Sequence, residues 1–170
     1  MKLGVHKLTD SAVIPKFATT GSACFDLHAD FLMSQRLKAY NAWNKEFPVQ
    51  SKIIADKVSI QIPPETRILI PTNLVFDIPA NHVMKIFVRS SIALKKGLSL
   101  SNGTGIIDSD YVDPVFVMLH NNSDTLVVIN HLERIAQGLI EKCVTTTIEE
   151  VLQRPGQKTD RDGGFGSTGS

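Results

Sequence analysis

Residues 102–111, Asn-Gly-Thr-Gly-Ile-Ile-Asp-Ser-Asp-Tyr, carry the side chains of this chain that are best suited to chemistry. Gly103 and Gly105 allow positive φ, so the backbone can turn tightly or pass close to a ligand. The β-branched pair Ile106 and Ile107 then favours a short strand. The stretch therefore predicts a flexible entry that leads into a rigid strand.

Asp108 follows the two isoleucines, and Tyr111 follows three residues later. Apolar neighbours withdraw a carboxylate from water, which suits it to act as a general base. A carboxylate beside a flat aromatic ring would suit a small ring-bearing ligand. Taken alone, the stretch favours an ordinary hairpin with Asp108 and Asp110 as turn residues. It does not have the glycine and glutamate spacing of an EF-hand calcium loop.

Three further segments place polar side chains near the ends of predicted strands. Arg89, Ser90 and Ser91 follow one strand, where a guanidinium and two hydroxyls can bind phosphate oxygens. Asp26 follows a turn and is either a turn residue or a metal ligand, directly or through water. Arg134 begins another strand, where the simplest interpretation is an ion pair with a carboxylate.

The last twenty residues have a composition that cannot build a core. A disordered terminus is the ordinary interpretation. However, one aromatic residue, Phe165, lies among four glycines, with Arg161 before it and the hydroxyls of Ser167 and Thr168 after it. This pattern indicates an arm that orders on a phosphate-bearing ligand.

Length and composition limit the remaining possibilities. With 170 residues, 42% hydrophobic and 21% charged, the chain is expected to form one globular domain. A formal net charge of +1 provides no overall field for nucleic acid or an anionic membrane. Two distant cysteines suit the cytoplasm, and neither a membrane span nor a signal peptide is expected.

Most of the chain is predicted to form short strands, which indicates an all-β sandwich or barrel. The predicted strands lie at 52–63, 67–71, 74–78, 83–88, 115–119, 126–129 and 135–144.

Residues 31–47 have a different pattern. Apolar residues recur there at spacings of three and four, at Met33, Leu37, Tyr40, Trp43 and Phe47. That spacing predicts a short amphipathic helical insertion. We expect it to pack on the sheet, and a contact with a neighbouring subunit or another protein is the alternative.

Five segments of the chain, taken in order, resemble the motifs of the homotrimeric dUTPases. They are residues 18–27, 89–93, 102–111, 133–137 and 163–169. The central Ile-Asp-Ser-Asp-Tyr and the terminal Gly-Gly-Phe-Gly-Ser-Thr-Gly carry most of the resemblance. The chain departs from the family at Leu132, where a glycine is usual, and in its long link between the first two motifs.

The resemblance implies a jelly-roll-like distorted β-barrel over residues 1–150 and a C-terminal arm over 151–170 that closes over the active site. It further implies a homotrimer with sites at subunit boundaries, and Mg²⁺-dependent hydrolysis of dUTP to dUMP and pyrophosphate. Such an enzyme removes dUTP and supplies dUMP for thymidylate synthesis. Its location would be the cytoplasm, or the host cytoplasm for a phage protein.

The resemblance also assigns the nucleoside-binding residues. Asp108 matches the general base that activates water to attack the α-phosphorus, and Tyr111 matches the ring beneath the deoxyribose. Asn102 matches the side chain that reads the uracil edge. The backbone around Ile106 and Ile107 would make further contacts with the base.

The remaining assignments concern the phosphates and the metal. Asp26 matches a carboxylate that reaches Mg²⁺ through water. Four residues match phosphate ligands, namely Arg89, Ser90, Ser91 and Gln137. In the arm, Phe165 would cap the uracil, while Arg161, Ser167 and Thr168 would bind the γ-phosphate.

Two alternative functions are compatible with the same fold. A dCTP deaminase would act on the base through a catalytic glutamate, whereas the central motif of this chain provides Asp108. A nucleotide-dependent regulatory trimer would use the long segment near Trp43 as a contact surface. An intact Asp108 argues against a role limited to binding.

Overall fold

Fourteen strands and one short helix form the computed structural model of the chain, which describes residues 1–160. The strands are β1 (Gly4–Lys7), β2 (Phe25–His28), β3 (Arg36–Tyr40), β4 (Glu46–Gln50), β5 (Lys52–Ile54), β6 (Lys57–Ile62), β7 (Arg67–Pro71), β8 (Leu74–Asp77), β9 (His82–Val88), β10 (Leu98–Leu100), β11 (Gly105–Ile107), β12 (Phe116–Asn121), β13 (Val127–Asn130) and β14 (Arg134–Lys142). The helix α1 spans Ser90–Lys96.

The strands form four antiparallel sheets. Their orders are β1-β8, β10-β12-β7-β3-β4, β11-β9-β14-β2 and β13-β6-β5. Every strand run predicted from the sequence overlaps at least one observed strand, so the all-β prediction is confirmed. No helix within residues 1–160 is long and apolar enough to cross a membrane.

The core lies between these sheets and follows the two-residue alternation of their strands. In β7, Ile68 and Ile70 are buried, and in β12 the buried residues are Val117 and Leu119. In β2 the alternation buries Phe25 and Leu27 and turns Asp26 and His28 outward. Strand β2 thus presents polar side chains on its outer face.

The helix predicted for residues 31–47 is wrong, because β3 and β4 form an antiparallel hairpin there. Spacings of three and four arose because two alternating strands are separated by a turn. Asn41 accepts hydrogen bonds in that turn from the backbone N–H groups of Trp43 and Lys45, at 3.0 Å each. Pro48 lies in β4 at the sheet edge, where its missing N–H is tolerated. Trp43 is 85% exposed at the hairpin tip.

The only helix within residues 1–160 follows Arg89 directly. It ends at Gly97, which adopts φ +63° and donates its N–H to the carbonyl oxygens of Ala93 and Ile92. A glycine suits this position because the left-handed conformation strains residues that carry a Cβ. The helix therefore has a defined end, and Arg89 is fixed between it and β9.

Leu132, the residue found in place of the family's glycine, has φ +61° in the turn from β13 to β14. Its N–H donates to the carbonyl of Ala29 at 2.7 Å, so the strained conformation is held in place. The left-handed conformation costs roughly 1–2 kcal/mol for a residue other than glycine. The side chain is 38% exposed and contributes limited apolar burial.

We expect Leu132→Gly to stabilise the protein by about 0.5–1 kcal/mol, because the relief of strain exceeds the added backbone entropy of the unfolded chain. Thermal unfolding at one fixed protein concentration measures the change. Leu126→Gly is the matched control, since Leu126 is also exposed but has no positive φ. A lower melting temperature for Leu132→Gly would contradict the prediction.

Asp30 anchors the N-terminal segment from a buried position. It accepts hydrogen bonds from Thr9, from Ser11 at 2.7 Å and from the Asn73 amide at 3.0 Å. Burial of Asp30 opposes its ionisation, but these three donors and the nearby His131 outweigh that effect and hold the pKa of Asp30 below its ordinary value. The ionised carboxylate therefore stabilises the folded state.

Because the folded-state pKa is lowered, this stabilisation is present at pH values above the unfolded-state pKa of about 3.9. It is lost as the pH falls through the lower folded-state value. We expect Asp30→Asn to destabilise the protein by about 1–3 kcal/mol at pH 7, since donors are left without their carboxylate. The difference from the unmodified protein should shrink in acid. Thermal unfolding across pH measures this, with the exposed Asp10→Asn as control.

Candidate active site

Four of the predicted phosphate- and metal-binding residues line one cavity of about 330 Å³. They are Asp26, Arg89, Ser90 and Gln137, and they lie beside Cys24 and the segment at Ala18. We call this cavity the phosphate pocket. Ser91 follows Ser90 in α1 but does not line the cavity. Segments far apart in sequence thus meet at one place on the surface.

Three neighbouring strands position these side chains. Asp26 of β2 is paired with Gln137 of β14, and Gln137 is paired in turn with Phe87 of β9. Directly opposed residues of antiparallel strands share a face, so Asp26 and Gln137 lie side by side on the outer surface. Arg89 follows β9 in an extended conformation, and its N–H donates to the carbonyl of Ile135 at 3.4 Å.

Two arginines hold the carboxylate of Asp26. Arg89 Nε lies 2.8 Å from Asp26 Oδ1, and Arg134 Nη1 lies 3.1 Å from Oδ2. The sequence interpretation of Arg134 as an ion-pair partner is therefore confirmed, and the partner is Asp26. Arg134 was not among the predicted site residues, because nothing local in the sequence indicates a partner 108 residues away.

His28 lies opposite Arg134 in the strand register. Burial lowers the pKa of His28; Asp26 opposes this shift, while Arg134 and Arg89 add to it. The neutral form of the ring is therefore favoured. Within residues 1–160, the charged side chains in and directly beside the phosphate pocket are those of Asp26 and its two arginines.

The predicted base-binding residues form a second, smaller cavity of about 90 Å³. Asn102, Ile106 and Ile107 line it together with side chains of β7, β9, β10 and β12. Gly105 also lines it, and a Cβ at that position would lie 3.0 Å from the Cβ of Ile86. Glycine is therefore needed for close packing against β9, in addition to any flexibility it provides.

Asp108 and Tyr111 form a turn after β11. The N–H of Tyr111 donates to the carbonyl of Asp108 at 3.2 Å, and its hydroxyl donates to the carbonyl of Pro114 at 3.1 Å. Asp108 is exposed in the single chain. The shielding expected from Ile106 and Ile107 is therefore wrong for the single chain, because a residue at a sheet edge has neighbours on one side only.

The predicted general base, Asp108, and the phosphate pocket at Arg89 lie at opposite ends of the same sheet. Strand β11 pairs with β9 so that Ile107 faces Met84, which puts Asp108 beside the beginning of β9. Arg89 follows the other end of that strand. At about 3.3 Å per residue, the six residues from Val83 to Arg89 span roughly 20 Å. One chain thus does not bring Asp108 to its own phosphate pocket.

The residues of the phosphate pocket offer a magnesium ion one carboxylate, that of Asp26. Within residues 1–160, no cluster of three or more His, Cys, Asp or Glu side chains is placed to hold a metal ion. Mg²⁺ commonly uses one or two carboxylates together with substrate phosphates and water. Both oxygens of Asp26 already face arginines, which suits contact through water better than direct coordination.

The predicted arm residues Arg161, Phe165, Ser167 and Thr168 lie outside the residues that the structure describes. Strand β14 ends at Lys142, and residues 143–160 contain no helix or strand. Nearly all of them are exposed, including Ile148 at 95% and Leu152 at 96%. The segment that leads to the predicted arm is therefore exposed to solvent and has no regular secondary structure.

Comparison with known proteins identifies the family. The sequence model of the dUTPase family matches residues 54–169. The chain is similar to the deoxyuridine 5'-triphosphate nucleotidohydrolase of Hydrogenobaculum sp., with 34% identity over 99% of both chains. It is 36% identical to the enzyme of the same name from Nautilia profundicola, again over 99% of both.

A solved structure of a Staphylococcus bacteriophage 80alpha dUTPase variant with dUpNHpp has the same fold, with a TM-score of 0.74. The two are 20% identical, and the match covers 99% of each chain. The jelly-roll β-fold expected from the sequence is confirmed. Together with the sequence matches across nearly the whole chain, this shows that the chain belongs to the dUTPase family.

Proposed function

We propose that this chain hydrolyses dUTP to dUMP and pyrophosphate with Mg²⁺, in sites that are shared between the subunits of a homotrimer. Membership in the family makes the chain a dUTP diphosphatase. The observation that supports a site shared between subunits is the separation of Asp108 from the phosphate pocket within one chain. The reaction requires both, so a second copy must provide the missing half.

The cavity at Asn102 and Gly105 supports uracil binding. It is small and lined mainly by apolar residues, and Asn102 is the one lining residue with a polar side chain within the described part of the chain. A buried polar mismatch costs on the order of 1–3 kcal/mol per unpaired group. Such a pocket can therefore select uracil over cytosine, whose hydrogen-bonding edge differs. Tyr111, in the turn that follows β11, would lie beneath the deoxyribose.

The phosphate pocket supports triphosphate binding. Arg89 provides a guanidinium, while Ser90 and Gln137 provide a hydroxyl and an amide donor. Ser91 follows Ser90 in α1 and would add a hydroxyl donor to a bound phosphate. Mg²⁺, when bound, would offset charge on the phosphates, and Asp26 would hold it through water. The protein residues themselves bind and orient the phosphates.

Asp108 is proposed as the base that removes a proton from the attacking water. The carboxylate is accessible and lies next to the base-binding cavity, on a turn that follows a rigid strand. In the single chain it is open to solvent. A neighbouring subunit and the arm would cover it and exclude bulk water.

We propose that residues 151–170 form the arm that closes over the site. Phe165 would stack on the uracil, and Arg161, Ser167 and Thr168 would bind the γ-phosphate. The exposed segment 143–160 supports an arm that leaves its own subunit. The exposed Trp43 supports a contact between the β3–β4 hairpin and a neighbouring subunit or another protein. By removing dUTP, the enzyme would supply dUMP for thymidylate synthesis.

A product assay tests the proposal against a dCTP deaminase. The purified protein is incubated with Mg²⁺ and either dUTP or dCTP, and both pyrophosphate and ammonia are measured. We expect pyrophosphate from dUTP, little product from dCTP, and loss of activity when EDTA removes the metal. Ammonia release from dCTP would contradict the proposal. Sedimentation of the same sample measures whether the active species is a trimer.

A further inference from the structure

We propose that Arg134 is a positioning residue of the phosphate pocket, which orients Asp26 and thereby keeps Arg89 available to the phosphates. This inference rests on the proposed function. Arg134 does not line the pocket itself. It acts through the Asp26 carboxylate, whose Oδ2 lies 3.1 Å from Arg134 Nη1.

An irregularity in β14 puts Arg134 on the outer face. Arg134 pairs with His28 and Gln137 with Asp26, but Ala136 pairs with Leu27, so Ile135 is an extra residue on this strand. In a regular strand, residues three apart point to opposite faces. The extra residue lets Arg134 and Gln137 share one face, which is how β-bulges redirect side chains beside active sites.

The same irregularity fixes the other arginine of the pocket. The carbonyl of Ile135 accepts the N–H of Arg89 at 3.4 Å. Ile135 itself is fully buried in the core and holds this backbone in place. The bulge therefore turns the Arg134 side chain to the outer face and holds the backbone of Arg89. Strand β14 thus determines the geometry of the ion-pair triad, which consists of Asp26, Arg89 and Arg134.

The division of contacts explains why two arginines are needed. Arg89 uses Nε for Asp26, and its terminal nitrogens make no hydrogen bond within the described part of the chain. Those nitrogens are the groups that would donate hydrogen bonds to phosphate oxygens. With a single arginine, the Asp26 charge would offset the Arg89 charge. With Arg134 present, the triad has a net positive charge toward the pocket.

The exposure of Arg134 argues that the pair serves the site more than the fold. Its side chain is 51% exposed, whereas those of Arg89 and Asp26 are 24% and 18% exposed. Exposed ion pairs contribute little to stability because water screens them. We therefore expect replacement of Arg134 to leave the melting temperature and the assembly unchanged while it weakens ligand binding.

The test measures binding of dUpNHpp, with Mg²⁺ present, by calorimetry. Arg134→Gln should raise the Kd by about 10-fold or more, the effect typical of residues that orient a ligand-binding group. Arg134→Lys should recover part of the loss, since an ammonium can still face Asp26. Arg36→Gln is the matched control, because Arg36 is exposed on β3, in a different sheet, and does not line the pocket. Its Kd should not change.

A double-mutant cycle separates positioning from direct contact. In an Asp26→Asn background, Arg134→Gln should have no further effect on Kd, because Arg134 acts through that carboxylate. An equal loss in both backgrounds would overturn the proposal in favour of direct phosphate binding. An unchanged Kd for Arg134→Gln, or a fall in melting temperature that Arg134→Lys does not restore, would also overturn it. Failure of the unmodified protein to bind dUpNHpp would instead refute the proposed function on which the inference rests.

Discussion

Asp108→Asn is expected to lower kcat for dUTP by about 10²- to 10⁴-fold, the contribution that a positioned general base makes. Asparagine keeps the size and the turn geometry of the residue but cannot accept the proton of the attacking water. The proposed nucleoside and phosphate contacts do not involve this carboxylate. The Kd for dUpNHpp should therefore change little while turnover falls.

Steady-state turnover of dUTP and calorimetric binding of dUpNHpp measure the two effects separately. Asp113→Asn is the control for a general change of charge in this loop, since Asp113 is exposed and lies outside both cavities. Its kcat should match that of the unmodified protein. Full turnover by Asp108→Asn would show that Asp108 is not the base, even if the other proposed residues do bind the nucleotide.

Mixed trimers of two inactive variants are expected to regain activity. Asp108→Asn loses the proposed base, and Arg89→Gln loses a proposed phosphate ligand, so we expect each variant to be inactive alone. If one subunit contributes Asp108 and another contributes Arg89, random mixing restores about one quarter of the sites, because each of the two positions is intact with even chance. Unfolding the variants together and refolding them at equal concentration produces the mixed assemblies.

The matched control combines Asp26→Asn with Arg89→Gln. These two side chains are in contact within one chain, at 2.8 Å, so no mixed assembly has both intact in one pocket. This mixture should stay inactive. Absence of recovery for Asp108→Asn with Arg89→Gln, in refolded samples that sediment as trimers, would mean that the site is not divided between subunits in this way.

The strands were predictable because their signal is local. The burial alternation in β7 and the β-branched residues of β6 favour a strand whatever their partners are. The same local reasoning failed for β3 and β4. Two short alternating strands and a turn reproduced a helical spacing, and only the pairing of Leu37 with Val49 distinguishes the hairpin. Pro48 and the turn residue Asn41 were the available signals.

The site was partly predictable for a different reason. The residue types in the ordered motifs indicate nucleotide chemistry. Four of the predicted phosphate- and metal-binding residues do meet in one cavity. That Asp26 is the ion-pair partner of Arg134 was not predictable, because only the strand pairing between β2 and β14 brings the two residues together. The strained turn at Leu132 likewise depends on its bond to Ala29, which no local pattern indicates.

By itself, the sequence determined the all-β class, the family and the residue types that can hold a nucleotide, because these depend on local alternation and on motif order. Only the tertiary structure decided that Asp26 is held between two arginines and that Asp108 lies at the far end of the sheet from Arg89. The physical reason is that strand register and sheet order set these distances, and both arise from pairing between segments that are remote along the chain.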